Sequence, residues 1–337
     1  MEVRVNIEVL QAREGDCIFI TIADGEKDYI IMIDSGVAST YRGFDKRKRS
    51  MNGPLKNKIE ELRAQHKVIN LLVLTHVDED HIGGVKEWLA DDESAMEMID
   101  TVWMNNGDKI DIPDHSSVLH SIAKGKCLEK MLLAAHKNLV SQVIKGKVFQ
   151  IPYGKIVVLT PTVVAHNVIA EKWVEPVLHK IAADYTKPIK DFLDYEFCEE
   201  DSSKTNNSSI SFILNVGDRN DLLLGDADIT DVCLALKELG YNKEKPLVCK
   251  TVKLAHHGSR NNFSDELLEL VNVEIFIFSS NGNYYGHPDK DVFARIIDKT
   301  SAKEYFNYED RAQKIISAQD VVDYPLIKQR IVTQLND

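Results

Sequence analysis

The sequence lacks any run of about 18 consecutive apolar residues, the length a membrane-crossing helix needs, so no membrane span is expected. It lacks a Cys-x-x-Cys pair. Its five cysteines, Cys17, Cys127, Cys198, Cys233 and Cys249, are scattered and odd in number. That argues against a disulfide framework and for buried thiols in a reduced, cytoplasmic compartment. An excess of basic residues is missing too: 41 Lys and Arg against 53 Asp and Glu leave a net charge of −12. Such a balance disfavours a surface that coats nucleic acid non-specifically, although it permits a local basic groove. Low-complexity segments and Gly/Ser-rich linkers are absent. The opening MEVRVNIEVLQ alternates like a strand and carries charge, unlike a secretory leader.

What is present reads as α/β. Residues 3–34 predict a meander of three strands, VRVNIEVL, CIFITIA and YIIMIDSG, separated by the turn-rich REGD and DGEKD. A basic stretch, Tyr41 to Ser50, precedes a helix over 54–65 and a buried strand over 69–74. A short helix, VKEWL, is expected after Gly83-Gly84, then a strand over 101–104 and amphipathic helices within 117–144. VFQIPYGKIVVLTP predicts a hairpin, 165–196 a helical segment and CEEDSSKTNN an exposed loop. In the second half SISFILNVG, DLLLGDA, KTVKLAHHGS and EIFIFSSNG read as strands ending in polar motifs, with helices near 229–239, 265–271 and 289–299. The tail from Asp310 to Leu335 reads as helical. IIMIDSG and DLLLGDA echo one another, each an apolar strand ending in an aspartate beside glycine; a single echo hints at duplication.

The chemistry concentrates at strand ends, where functional groups of open α/β sheets gather. LVLTHVDEDHIGG places His76, Asp78, Asp80 and His81 directly after an apolar strand. A core does not bury such groups without compensation. In an extended segment His76 and Asp78 point the same way and can share one ion; Asp80 and His81 can face a second, with Gly83 and Gly84 allowing a tight turn. Asp226 could bridge the two ions and His257 complete the second. The oxygen-rich donor set admits Mn²⁺ beside Zn²⁺, with Mn²⁺ slightly preferred. Taken singly, HxDxDH suits a solvated loop, HHGS a helix cap, and Asp34 and Asp226 turn residues. Four such motifs at the ends of separate apolar strands argue for one shared site.

With EGDCIFI and IDSG, LTHVDEDHIGG, NNSSISFIL, LLLGDAD, LAHHGS and NGNYYGHP in this order from about residue 6 to 290, the chain resembles the metallo-β-lactamase superfamily, and within it the ComEC-type hydrolase domain of DNA-uptake channels. The resemblance implies an αββα four-layer sandwich spanning 1–300, with a helical insertion at about 105–205 and a C-terminal helical extension over 301–337. It implies two divalent ions, Mn or Zn: His76 and Asp78 on the first, Asp80, His81 and His257 on the second, and Asp226 bridging. Asp34 becomes a residue that orients a ligand imidazole. The superfamily's HxHxDH is HxDxDH here, and its third-motif histidine falls near Asn206-Asn207, weakening the first site. His256 is then a neighbour packing inward or an alternative ligand.

The function so implied is a metal-dependent phosphodiesterase or nuclease acting on DNA, in which a metal-bound hydroxide attacks phosphorus and Asp80 belongs to the catalytic machinery. His287, in YGHP, is the candidate acid or phosphate contact, with a turn-fixing role as its alternative. Ser259, Asn281 and Asn283 are candidate phosphate donors or ordinary turn residues. Arg42, Lys46 and Arg47, in the basic run after IDSG, would attract a phosphate backbone, or simply be solvated. Competing readings are a hydrolase of a small ester, lactone, thioester or nucleotide, and a catalytically weak binding subunit that kept the fold. A role in nucleic-acid turnover or phage defence and a protein partner for the C-terminal helices complete the expectations.

Overall fold

The computed structural model describes residues 3–44, 47–106, 122–135, 138–171, 185–193, 204–283 and 286–335. The N-terminal half contributes β1 (Arg4–Val9), β2 (Ile18–Ala23), β3 (Asp28–Ile33), a two-stranded ribbon of β4 (Arg42–Phe44) and β5 (Ser50–Asn52), then β6 (Ile69–Leu74), β7 (Ile99–Met104) and β8 (Asn138–Val140). The C-terminal half contributes β9 (Val148–Ile151), β10 (Gly154–Thr160), β11 (Ser211–Val216), β12 (Arg219–Leu223), β13 (Leu247–Lys253), β14 (Val271–Phe278), β15 (Lys303–Phe306) and β16 (Ile331–Val332).

Two sheets result, ordered β1-β2-β3-β6-β7-β8 and β16-β15-β14-β13-β12-β11-β10-β9. In the first, β1, β2 and β3 are antiparallel and β3, β6, β7 and β8 are parallel. The second repeats the scheme: β9 through β12 are antiparallel, and β12 through β16 parallel. The strand at which each sheet changes direction, β3 or β12, leads directly into Asp34 or Asp226. The echo in the sequence therefore corresponds to a repeated sheet plan.

Strand alternation sorts the core into layers. Ile18, Ile20, Ile22, Ile31, Ile33, Leu71 and Val73 meet Ile156, Val158, Phe212 and Leu214 between the sheets. The intervening residues Phe19, Ile30, Met32, Leu72 and Leu74 face outward onto helices. Helix Pro54–Ala64 starts with proline at its first position and buries Leu55, Ile59 and Leu62, an i, i+4, i+7 stripe. On the second sheet Leu222, Val252 and Phe276 pack against Val232 and Leu236 of helix Ile229–Glu238 and Phe293 and Ile296 of helix Lys290–Lys299. Burying each such side chain contributes about 1.5–3 kcal/mol. The result is a four-layer αββα sandwich.

Two expectations change. Gly83 and Gly84 do not make a turn before a helix; they lie inside helix Glu79–Asp91. A Cβ on Gly84 would stand 2.2 Å from the Ser35 carbonyl oxygen, and one on Gly83 2.7 Å from the Ala38 nitrogen. The glycines let this helix press against the chain leaving β3. The 301–337 segment is not a purely helical extension, because β15 and β16 extend the second sheet. Its short helices are Glu309–Ile315, Ala318–Asp323 and Ile327–Arg330. Of the expected insertion, the described residues form helices Ile122–Ala134 and Val163–Glu171, β8 and the β9–β10 hairpin; 107–121, 172–184 and 194–203 lie outside the description. Among the described residues no helix is long and apolar enough to cross a membrane.

Candidate metal centre

Four imidazoles converge on one carboxylate at the ends of β6, β12 and β13. Asp226 Oδ2 lies 3.3 Å from His81 Nε2, 3.8 Å from His256 Nε2, 3.9 Å from His76 Nε2 and 4.0 Å from His257 Nε2. Asp78 Oδ2 is 3.6 Å from His76 Nε2, and Asp80 Oδ2 is 3.8 Å from His257 Nε2. His76, Asp78, Asp80, His81, Asp226 and His257 are thus brought together from two sheets. His76, His81 and Asp226 form one candidate metal-binding group and Asp80, His81 and His257 another, with donor atoms in each within 4.8 Å of one another.

The donor set fits a cation. His76 Nε2, His81 Nε2, His257 Nε2 and Asp226 Oδ1 are buried without a hydrogen-bond partner. Stranding that many polar atoms costs several kcal/mol in an ordinary core. Electrostatics point the same way. Burial would raise the Asp226 carboxyl, but the charges of His81, His256 and His257 hold it well below the usual carboxylate range. Burial would lower His81, yet Asp226 and Asp34 push it well above its ordinary value. His257 is likewise raised, with burial opposed by Asp16 and Asp226. Asp80 is lowered because His257 and His81 outweigh its burial.

A supporting shell aims these rings. Asp34 follows β3 with φ 54° and is fully buried. Its Oδ2 sits 2.7 Å from His81 Nδ1, while Oδ1 accepts from the Thr75 backbone N–H at 2.8 Å and Oδ2 from the Thr75 hydroxyl at 2.7 Å. These contacts hold the His81 ring from behind. Thr75 Oγ1 is also 3.1 Å from His76 Nδ1.

Sequence reasoning missed the counterpart for His257. Asp16 Oδ1 lies 3.3 Å from His257 Nδ1, and Asp16 Oδ2 is paired with Lys253 Nζ at 2.7 Å. Ser279 Oγ donates to Asp16 Oδ1. Asp16 is drawn far below the carboxylate range, with burial overcome by Lys253 and His257. Both clues were in the sequence: Asp16 precedes an apolar strand, and Lys253 ends β13 directly before the apolar Leu254-Ala255, where a charge needs a partner.

His256 is half-buried beside the centre. It occupies a tight turn, 255–258, in which His256 and His257 adopt left-handed φ of 45° and 58°. Its Nδ1 is 2.9 Å from Asn262 Oδ1 and 3.3 Å from Asn206 Nδ2. Asn206 is buried beside this ring, and Asn207 follows it at the end of helix Lys204–Asn207. The His287 ring centroid is 5.1 Å from that of His256, and its Nδ1 is 3.3 Å from Asp289 Oδ2. Burial lowers His287 against the pull of Asp289. At neutral pH the ring is therefore neutral, and it must take up a proton before it can act as an acid.

The phosphate candidates divide. Arg42 is committed to Asp91 and to Glu87 at 3.6 Å, so its charge is balanced on helix Glu79–Asp91. Lys46 lies outside the described residues, and Arg47 is exposed. Ser259 Oγ is engaged in capping, accepting from the Asn261 N–H at 3.3 Å. Asn281 and Asn283 line a cleft of about 650 Å³ with Arg13, Phe44, Tyr308 and Arg311. Its charged lining is Arg13, Arg311 and Lys314 with Asp310, which lies 3.6 Å from Arg311 and 2.9 Å from Lys314; sequence reasoning singled out none of them.

Comparisons with known proteins find the following similarities. No curated protein matches the sequence. Among solved structures, CmlA β-hydroxylase from Streptomyces venezuelae is 13% identical with a TM-score of 0.47; the alignment covers 90% of this chain, and the chain spans only 52% of that protein. The metallo-β-lactamase fold protein YhfI from Bacillus subtilis is 9% identical, TM-score 0.45, covering 90% and 96% of the two chains. A diphosphatase from the PhnP family is 11% identical, TM-score 0.40, covering 93% of each. Residues 11–117 match the family model described as "Metallo-beta-lactamase superfamily". That stretch holds β2 through β7 and the His76–His81 cluster, so this part of the chain is similar to the metallo-β-lactamase superfamily.

Proposed function

We propose that this protein is a metal-dependent hydrolase that holds two divalent cations, Mn or Zn, and cleaves phosphodiester bonds, with DNA the favoured substrate. The observation that carries the proposal is the set of buried nitrogens, His76 Nε2, His81 Nε2 and His257 Nε2, left without hydrogen-bond partners around Asp226. In this reading Asp226 is the shared donor, with His76 and Asp78 assigned to one cation and Asp80, His81 and His257 to the other. Bound there, a cation pair would supply a nucleophile at neutral pH and charge for a leaving oxygen.

The chain's own groups do the rest. Asp34 and Asp16 fix the rings of His81 and His257, so little reorganisation accompanies reaction. Asp80, held ionised, keeps negative charge beside His257. His287, largely buried beside His256, would accept a proton and return it to the leaving group. Preference for a phosphodiester is supported by the resemblance to the ComEC-type hydrolase domain and by the neighbouring cleft. There Arg13, Arg311 and Lys314, partly balanced by Asp310, offer positive charge and Phe44, 67% exposed, offers a stacking face.

The test is cleavage of linear DNA, RNA and a generic phosphodiester by purified protein with Mn²⁺, Mg²⁺ or Zn²⁺, beside Asp80→Ala. Metal-dependent cleavage that the variant loses is expected. Identical behaviour of the two proteins on every substrate refutes the enzymatic reading.

A further inference from the structure

We propose that His256 is a further metal donor at the Asp226 centre, supplying the imidazole that the chain lacks at Asn206, whose amide nitrogen lies 3.3 Å from its ring. The inference rests on the dinuclear reading above and goes beyond it. In that reading the cation assigned to His76 and Asp78 has Asp226 as its third donor, one short of the four a zinc-type site commonly uses.

All four imidazoles obey one rule: Nδ1 meets an oxygen, and Nε2 faces Asp226. The Nδ1 partners are Thr75 Oγ1 for His76, Asp34 Oδ2 for His81, Asp16 Oδ1 for His257 and Asn262 Oδ1 for His256. The Nε2 distances to Asp226 Oδ2 fall between 3.3 and 4.0 Å, with His256 at 3.8 Å. A ring held only for packing has no reason to share this orientation.

The protonation state of His256 follows from Asn262. The amide nitrogen of Asn262 donates to the carbonyl oxygens of Asp226 and Ala227, both at 3.2 Å. Its oxygen is therefore the atom that faces His256 Nδ1 at 2.9 Å, and an oxygen can only accept. The proton sits on Nδ1, and the lone pair of Nε2 is directed towards Asp226. The 3.3 Å approach of Asn206 Nδ2 to the same nitrogen is the weaker contact, since an amide N–H gains nothing from a protonated nitrogen.

The backbone locks ligand and carboxylate together. The His256 N–H donates to the Gly225 carbonyl oxygen at 2.9 Å, next to Asp226. His256 also pays for this position with a left-handed backbone, φ 45° and ψ 50°, which non-glycine residues rarely adopt. Asn262 is accordingly a positioning residue: it ties the β12 end, which carries Asp226, to the ring that faces it.

The experiment measures metal content and affinity, with no substrate present. The full chain is stripped with chelator, dialysed against Mn²⁺ or Zn²⁺, and assayed by mass spectrometry and titration calorimetry. The Mn²⁺ form is also examined by electron paramagnetic resonance. The parent protein should bind two ions per chain and show a spin-coupled pair. His256→Ala should bind one ion unchanged, bind the other at least tenfold more weakly, and give the spectrum of isolated Mn²⁺. Asn262→Ala should show a smaller loss at the same ion, and His256→Asp, which restores a donor, should recover the second ion. If His256→Ala fails to fold, the Asn262→Ala and His256→Asp pair decides. Two ions bound at parental affinity by His256→Ala, or by Asn262→Ala where that variant decides, overturn the proposal while leaving the hydrolase reading intact. A parent protein that binds no ions overturns both.

Discussion

Replacing Lys253 with methionine tests the buried charge network behind His257. Lys253 is 1% exposed, and its ammonium bonds Asp16 Oδ2 at 2.7 Å and the Leu254 carbonyl at 2.8 Å. Asp16 is 2% exposed and would be left with His257 and Ser279 alone. Breaking a buried ion pair by removing one partner costs about 3–5 kcal/mol, because the remaining charge has no solvent. Asp16→Asn should cost a similar amount by stranding the ammonium. The double variant Asp16→Asn/Lys253→Met strands neither, so its cost should fall short of the sum of the singles by about 2 kcal/mol or more. Urea unfolding followed by circular dichroism, with chelator present so that ion binding does not contribute, measures all four proteins. The sign with pH is also fixed. The lysine keeps Asp16 ionised in the folded parent, so lowering the pH lets the stranded carboxyl of Lys253→Met protonate and narrows the gap between the two. A cost below about 1 kcal/mol for Lys253→Met, or single costs that simply add, refutes the reasoning.

Asp34→Asn removes the charge behind His81 while keeping the shape, and should weaken ion binding about 10–100-fold in titration calorimetry. Gly15→Ala would place a Cβ 1.8 Å from the Asp80 carbonyl oxygen, a backbone atom that cannot step aside; a lowered melting temperature together with loss of an ion is expected. Burial raises Glu304 to about 8 against the opposing pull of Arg330, 2.6 Å away. A carboxyl whose folded pKa exceeds its unfolded value stabilises fully below the unfolded value and loses that contribution as pH rises through the folded one. Glu304→Gln should therefore gain on the parent between about pH 5 and 9, by up to about 4 kcal/mol, in denaturant titrations at each pH.

Alternation and turn residues were enough to place β1, β2, β3, β6, β10, β11, β12, β13 and β14, because each strand buries one or both faces and its side chains report that directly. The polar clusters at strand ends were visible for the same reason: titratable groups interrupt apolar runs. What the sequence conceals is pairing across distance. His257 and Asp16 are 241 positions apart, and nothing local to EGDCIFI says which ring its aspartate will meet. The role of Gly83 and Gly84 was misjudged because a turn and a close approach demand the same residue, and only the neighbouring 35–38 segment distinguishes them. Arg42 was read as available because its partner Asp91 lies 49 positions away on another element. The C-terminal strands β15 and β16 escaped notice because strands of four and two residues carry too little alternation to register.

The repeated sheet plan has a mechanical consequence. His76, Asp78, Asp80 and His81 issue from the first sheet, whereas Asp226, His256 and His257 issue from the second, so a cation seated among them would rivet the two halves of the sandwich at their shared rim. Loading and stripping the centre would then change how readily the halves part, and the rim opposite it would respond least.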